Sequence, residues 1–207
     1  EIVCSRVDPL HGRRNPFIAK EGVPALLILS AVIIALIRFS APLFALIPSA
    51  LFVIAYLLFR DPHRSVPSIA LGVFSPVDGE VVKVGLIDVG EIGGPALRVT
   101  IAINSFGTYT ARAPVEGNIK DLGMKALWIQ SDEGDDIVVM FHGYRFGLPP
   151  KAFARFGERF GQGQRCAFLR LTRLAEVQWP VGGKILVKVG DRVQAGVDLV
   201  GNVPSPR

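Results

Sequence analysis

Pro76-Val77-Asp78-Gly79-Glu80-Val81 decides the fold, because it returns in outline as Pro114-Val115-Glu116-Gly117-Asn118-Ile119 and again as Pro180-Val181-Gly182-Gly183-Lys184-Ile185. Each copy sets a proline and a glycine where a tight turn feeds a strand. Proline fixes φ, and glycine is expected to supply the positive φ that other residues resist. The unequal spacing argues against a solenoid. Around these turns, Val81-Val82-Lys83-Val84, Leu97 to Ile103, Ile137 to Phe141 and Ile185 to Val189 have the length and β-branched content of strands. Lys151 to Phe160 is read as one or two helical turns, ended by Gly157, Gly161 and Gly163. Residues 60–207 are therefore expected to form a mainly β domain, a compact sandwich or half-barrel.

Composition sets the outer limits. The chain has 207 residues, 50% of them hydrophobic, 20% charged and 9% aromatic, which excludes a disordered or collagen-like polymer. Cys4 and Cys166 stand far apart with no CxxC, so neither a disulfide scaffold nor a zinc ribbon is indicated. The net charge of +5 comes from seven Lys/Arg against four Asp/Glu in residues 1–64, and sixteen against fourteen in the remainder. No basic arm long enough for nucleic acid remains.

Hydrophobicity is concentrated before the β-like region. Val23 to Ile37 is an uncharged run of 15 residues, and Leu43 to Phe59 is a second of 17, separated by Arg38-Phe39-Ser40-Ala41-Pro42. At about 1.5 Å per residue the longer run reaches about 25 Å, short of a ~30 Å hydrocarbon core. Two tilted short spans and a re-entrant hairpin both fit. Neither run carries the polar stripe of an amphipathic core helix, so residues 23–59 are expected to be an α-helical membrane hairpin behind a basic N-terminal segment, 1–22. It is expected to be retained rather than cleaved as a signal peptide. Arg13, Arg14 and Lys20 precede it, and Arg60 and Arg64 follow it. These flanks predict a cell-membrane location with the soluble domain on the cytoplasmic side.

Two resemblances extend this reading. Gly183 to Gly196 resembles the strand, turn, strand pattern of biotinyl and lipoyl carrier half-barrels, in fold only, since no carrier lysine sits at its tip. More extensively, Phe59-Arg60-Asp61-Pro62-His63-Arg64-Ser65-Val66-Pro67 and Ser75-Pro76-Val77-Asp78-Gly79-Glu80-Val81 resemble the FRDP-x-R-x-x-P and S-P-x-D-G-x-V blocks of the short, membrane-associated phosphatidylserine decarboxylases. Lys20-Glu21-Gly22 is similar to the family's KEG before its hairpin, and Arg112-Ala113-Pro114 extends the match, which runs from about Lys20 to Gly201.

The resemblance implies a backbone that cleaves itself at a Gly-Ser bond to form an amino-terminal pyruvoyl group. That carbonyl takes up the substrate amine as a Schiff base and acts as electron sink for decarboxylation. It also implies an Asp, His, Ser set for maturation. Asp78 stands at the aspartate position, but Tyr109 occupies the histidine position, and a phenol with a pKa of about 10 is a poor base near neutrality. Counting back from Pro180, Thr172 and Arg173 fall where Gly and Ser belong; with one insertion the pair is Leu171 and Thr172. Neither register supplies Gly-Ser. An acyl shift onto the Thr172 hydroxyl needs crowded backbone geometry that glycine tolerates and Leu171 resists.

The expected protein is thus a membrane-anchored relative of these decarboxylases without processing chemistry and without a cofactor. It would bind a phospholipid headgroup near Asp78, Tyr109 and Arg112, or scaffold a membrane protein complex. The alternative is an active decarboxylase with a pyruvoyl group made at an atypical cleavage site. From Arg145 to Arg173, seven basic residues and Glu158 alternate with five phenylalanines. Arg145, Lys151 and Arg155 join Arg112 as candidate lipid contacts, with a solvated basic face above core phenylalanines as the alternative. His11, His63 and His142 are read as surface or interfacial residues, Cys166 as core, and Ser131 to Asp136 as a solvated hairpin turn rather than a cation loop. No metal site is expected.

Overall fold

A computed structural model describes residues 17–39, 42–62, 64–67, 69–104, 108–122, 126–144, 150–153, 155–169 and 171–204. The described residues divide into a helical unit, within residues 15–63, and a β unit, within residues 64–207.

In the helical unit, α1 (Val23–Arg38) is followed by a short 3-10 segment, Pro42–Ala45, and α2 (Leu46–Phe59). Pro24 sits in the first turn of α1, where its missing N–H costs nothing. The polar residues inside the helices are neutralised locally: Ser30 donates to the Leu26 carbonyl at 2.7 Å and Ser49 to that of Ala45 at 2.8 Å. The two ends of the hairpin are stitched together. Ala19 N–H donates to Phe59 O at 2.8 Å, and Asp61 N–H to Phe17 O at 2.7 Å. A Cβ on Gly22 would lie 2.2 Å from the Phe59 ring, so glycine permits this crossing. Within α1 and α2 only Leu26 and Pro48 are buried. Leu27, Ile28, Ile34, Ile37, Leu46 and Ile47 are exposed apolar side chains. Among the described residues no helix is long and apolar enough to cross a membrane, so the expectation of a transmembrane helix is not supported.

The β unit is antiparallel throughout its named strands. Its strands are β1 (Gly72–Phe74), β2 (Gly79–Ile87), β3 (Ala96–Ile103), β4 (Thr110–Arg112), β5 (Gly117–Leu122), β6 (Ala126–Ser131), β7 (Asp136–Tyr144), β8 (Lys151–Ala152), β9 (Arg159–Phe160), β10 (Arg165–Phe168), β11 (Thr172–Pro180), β12 (Lys184–Ile185), β13 (Arg192–Val193) and β14 (Leu199–Asn202). One sheet runs β13-β2-β3-β11-β7-β6-β5-β9; two three-stranded sheets run β1-β14-β12 and β4-β10-β8. Period-two alternation gives the large sheet two different faces. Val99, Val177 and Val139 pair in register and are buried, as do Val81, Ile101, Ala175 and Phe141. Between these rows, Arg98, Thr100, Glu176 and Gln178 occupy the alternating positions.

Three local expectations change. Ile185 to Val189 is not a strand beyond Ile185, because the Asp191 carboxylate accepts the Lys188 N–H at 2.7 Å and Gly190, at φ +96°, turns the chain. Lys151 to Phe160 is not helical: β8 and β9 flank a turn in which Glu158 N–H donates to Arg155 O at 3.0 Å. The echoed glycines do open strands; Gly182 does so at φ +121°, as expected, whereas Gly79, Gly117 and Gly183 are not at positive φ. A Cβ on Gly79, Gly117 or Gly183 would lie 2.0 Å from the carbonyl oxygen of Ala102, Gln130 or Asn202. Close approach of a neighbouring strand, rather than turn conformation, requires glycine there.

Candidate functional site

Asp78 closes the turn that opens β2. Ser75 Oγ donates to Val77 O at 2.7 Å, Arg112 N–H to Pro76 O at 2.8 Å and Asn104 N–H to Asp78 O at 3.0 Å, so the turn is fixed from three sides. Its carboxylate is surrounded by donors. Arg64 grips both oxygens, through Nη1 on Oδ1 and through Nη2 on Oδ2 at 2.5 Å. Ala195 N–H donates to Oδ1 at 2.8 Å. Thr108 donates to Oδ2 from its hydroxyl at 2.8 Å and its N–H at 3.3 Å. Burial alone would push this carboxyl up, but the Arg64 hydrogen bonds, the Ala195 N–H, the Arg64 charge and Thr108 together hold it below the usual carboxylate range. Asp78 is therefore an ionised, fully engaged anchor.

From that anchor a chain of hydrogen bonds reaches the other positions singled out in the sequence. Thr108 precedes Tyr109, a buried residue whose carbonyl accepts the Leu169 N–H at 2.8 Å, extending the β4–β10 ladder. The Leu169 carbonyl in turn accepts the Thr172 N–H at 2.9 Å and the Thr172 hydroxyl. Asp78, Tyr109 and Thr172 thus belong to one connected neighbourhood.

Leu171 has φ +66°, the left-handed region that glycine enters freely and leucine enters at a cost of about 1–2 kcal/mol. Of the two sequence registers, the one pairing Leu171 with Thr172 therefore has a glycine-like backbone at its first position. The other places Arg173 at the serine position. Arg173 is exposed, on the opposite side of β11 from buried Thr172, and its Cβ would lie 3.2 Å from a Cβ on Gly143.

The remaining candidates separate by burial. Arg112 is fully buried and its Nη1 donates to Gly163 O at 3.1 Å, pinning the turn before β10. Lys151 and Arg155 are exposed, and Arg145 lies outside the described residues. Of the interleaved phenylalanines, Phe160 and Phe168 are core, Phe153 lies 5.2 Å from the Arg165 guanidinium, and Phe156 is exposed. Cys166 is buried, and burial pushes its thiol up to about 12. His142 is partly exposed, 4.0 Å from Glu176; His11 and His63 lie outside the described residues. Ser131 to Asp136 is a hairpin turn between β6 and β7, with Ser131 N–H on Asp135 O at 2.8 Å. Among the described residues no cluster of His, Cys, Asp and Glu could hold a metal. Sequence reasoning overlooked Arg64 and Thr108 as the partners of Asp78. Arg64 was visible as the second arginine of the Phe59 to Pro67 block, but a lone arginine gives no sign of which carboxylate it will meet.

Comparison with known proteins gives the family. The phosphatidylserine decarboxylase proenzyme of Nitrosomonas eutropha is 31% identical over 87% of this chain and 93% of its own length. Those of Aromatoleum aromaticum and Burkholderia mallei are 24% and 26% identical, each over 92% of this chain and 97% of theirs. The chain belongs to the phosphatidylserine decarboxylase proenzyme family. No family model matches it. Among solved structures, the glucose permease IIA from Mycoplasma capricolum aligns at a TM-score of 0.47 and 19% identity, over 63% of this chain and 94% of that one, too distant to carry any argument.

Proposed function

We propose that this chain is an unprocessed, non-catalytic member of its family that works at the cell membrane by binding a phospholipid headgroup, and that it can scaffold a membrane protein complex there. One observation carries the reading: where the family resemblance calls for Gly-Ser, the chain has Thr172 and Arg173 or, with one insertion, Leu171 and Thr172, and the Thr172 hydroxyl donates to the Leu169 carbonyl. A hydroxyl held as a donor to a carbonyl has no base on that side to make it a nucleophile. Tyr109, in place of a histidine, supports the same conclusion. Without a self-generated carbonyl there is no electron sink for decarboxylation. The test is incubation of the full chain with phosphatidylserine vesicles. Vesicle binding without release of carbon dioxide supports the reading, and sustained release overturns it.

The left-handed backbone at Leu171 favours a second reading, in which the Leu171–Thr172 bond cleaves and threonine yields a larger ketoacyl group. A fragment beginning at residue 172 with a blocked amino terminus would establish it. In either case the exposed apolar side chains of α1 and α2 support insertion of the hairpin into one leaflet as a re-entrant element. Its basic flanks favour a β unit on the cytoplasmic side.

A further inference from the structure

We infer that the loop joining β12 to β13, with the adjoining edge of β2, is a lipid-contacting rim that brings anionic headgroups beside Asp78. The inference rests on the phospholipid-binding reading above and names the surface that would serve it.

The loop is built rather than loose. Asp191 N–H donates to Lys188 O at 3.1 Å, while the Asp191 carboxylate accepts the Lys188 N–H at 2.7 Å. Gly190 N–H donates to Val81 O at 2.8 Å, and Val81 N–H to Asp191 O at 2.9 Å, tying the turn to β2. A turn so fixed is ordinarily tipped with polar residues. This one presents Val189, 61% exposed, with Leu186, 53% exposed, three residues before it and Val82, 43% exposed, next to the Val81 that the turn hydrogen-bonds. Lys83 follows Val82, Lys188 precedes Val189 and Arg192 closes the loop, and all three are exposed. The nearby acids are Glu80, opposite Arg192 in the β2–β13 pairing, and Asp191, whose carboxylate is occupied by the Lys188 N–H. None of the three cations forms an ion pair among the described residues.

Aliphatic side chains ringed by cations fit a surface that is apolar below and anionic at its face, which is the chemistry of an acidic lipid leaflet. The rim is also continuous with the candidate site. Val193 pairs with Gly79, the residue after Asp78, and Ala195 N–H donates to the Asp78 carboxylate. At about 3.3 Å per extended residue, Arg192 stands within about 10 Å of Ala195.

The test uses the full chain carrying Val189→Cys in a Cys4→Ser background, labelled with an environment-sensitive fluorophore; Cys166 is buried and stays unlabelled. Vesicles of phosphatidylglycerol with phosphatidylcholine are compared with phosphatidylcholine alone, and sedimentation reports binding independently. A blue shift at position 189 with the anionic vesicles only, and none for a label at Glu133→Cys in the β6–β7 turn, supports the rim. Replacing Lys83, Lys188 and Arg192 by glutamine is expected to weaken anionic-vesicle binding about a hundredfold, at about fivefold per cation. Sedimentation without a shift at 189 overturns the rim and leaves the lipid-binding reading standing. Failure to sediment overturns both.

Discussion

The pair Arg64 and Asp78 invites a quantitative test, because the candidate neighbourhood is organised around it. Removing one partner of a buried ion pair usually costs about 3–5 kcal/mol, since the other charge is stranded. Here the side chains of Arg64 and Asp78 are 11% and 14% exposed, and Asp78 keeps the Ala195 N–H and both Thr108 donors. The lower end applies: Arg64→Met is expected to destabilise the β unit by about 3 kcal/mol. Asp78→Asn should cost a similar amount, because its amide N–H would face donors. The double variant should lose less than the sum, with a coupling of about 2 kcal/mol measured by urea unfolding in a double-mutant cycle. The sign of the pH dependence follows from the lowered Asp78 pKa. The pair's contribution is present above the unfolded carboxyl value of about 3.9 and is lost as pH falls through the lower folded value. The gap between the unaltered chain and Arg64→Met should therefore narrow below about pH 4. A coupling under about 0.5 kcal/mol, the scatter expected of independent sites, would refute the argument.

Other outcomes follow from single positions. Gly79→Ala would drive a methyl group into the Ala102 carbonyl and should destabilise by about 3 kcal/mol, read as a fall in thermal midpoint. Leu171→Gly relieves the left-handed backbone and should leave stability unchanged or raise it by up to about 1 kcal/mol, whereas Leu171→Val should lower it in the same assay. Cys166 in a Cys4→Ser chain should resist a thiol reagent until the protein unfolds, because its folded pKa is raised to about 12. The combined Tyr109→His, Leu171→Gly and Thr172→Ser variant should acquire slow self-cleavage between residues 171 and 172, visible by electrophoresis as two fragments.

Much of the β unit was legible in the sequence because one face of its large sheet is dry. Val99 and Val177 alternate with the polar residues Arg98, Thr100, Glu176 and Gln178, while Ile137 to Phe141 is a continuous buried apolar run whose β-branched content marks it as a strand. The irregular segments were not legible for the converse reason. Lys188 to Asp191 is governed by one side-chain hydrogen bond, and Arg155 to Glu158 by a short turn, neither of which leaves a periodic trace. Gly182 has the positive φ expected of an echoed turn, but Gly79, Gly117 and Gly183 are required by a crowding carbonyl from another strand, which cannot be read locally. At the site, Asp78 was found from its block and its partners were not. The left-handed backbone at Leu171, which distinguishes the two registers, is a feature that no composition argument supplies.

Whether the polypeptide remains in one piece is the most direct question to put to it. Intact-mass measurement of the chain as purified is predicted to give a single species near 22.4 kDa with every peptide bond in place. Two species whose masses meet at residue 172, the later one carrying a ketoacyl amino terminus, would contradict the account.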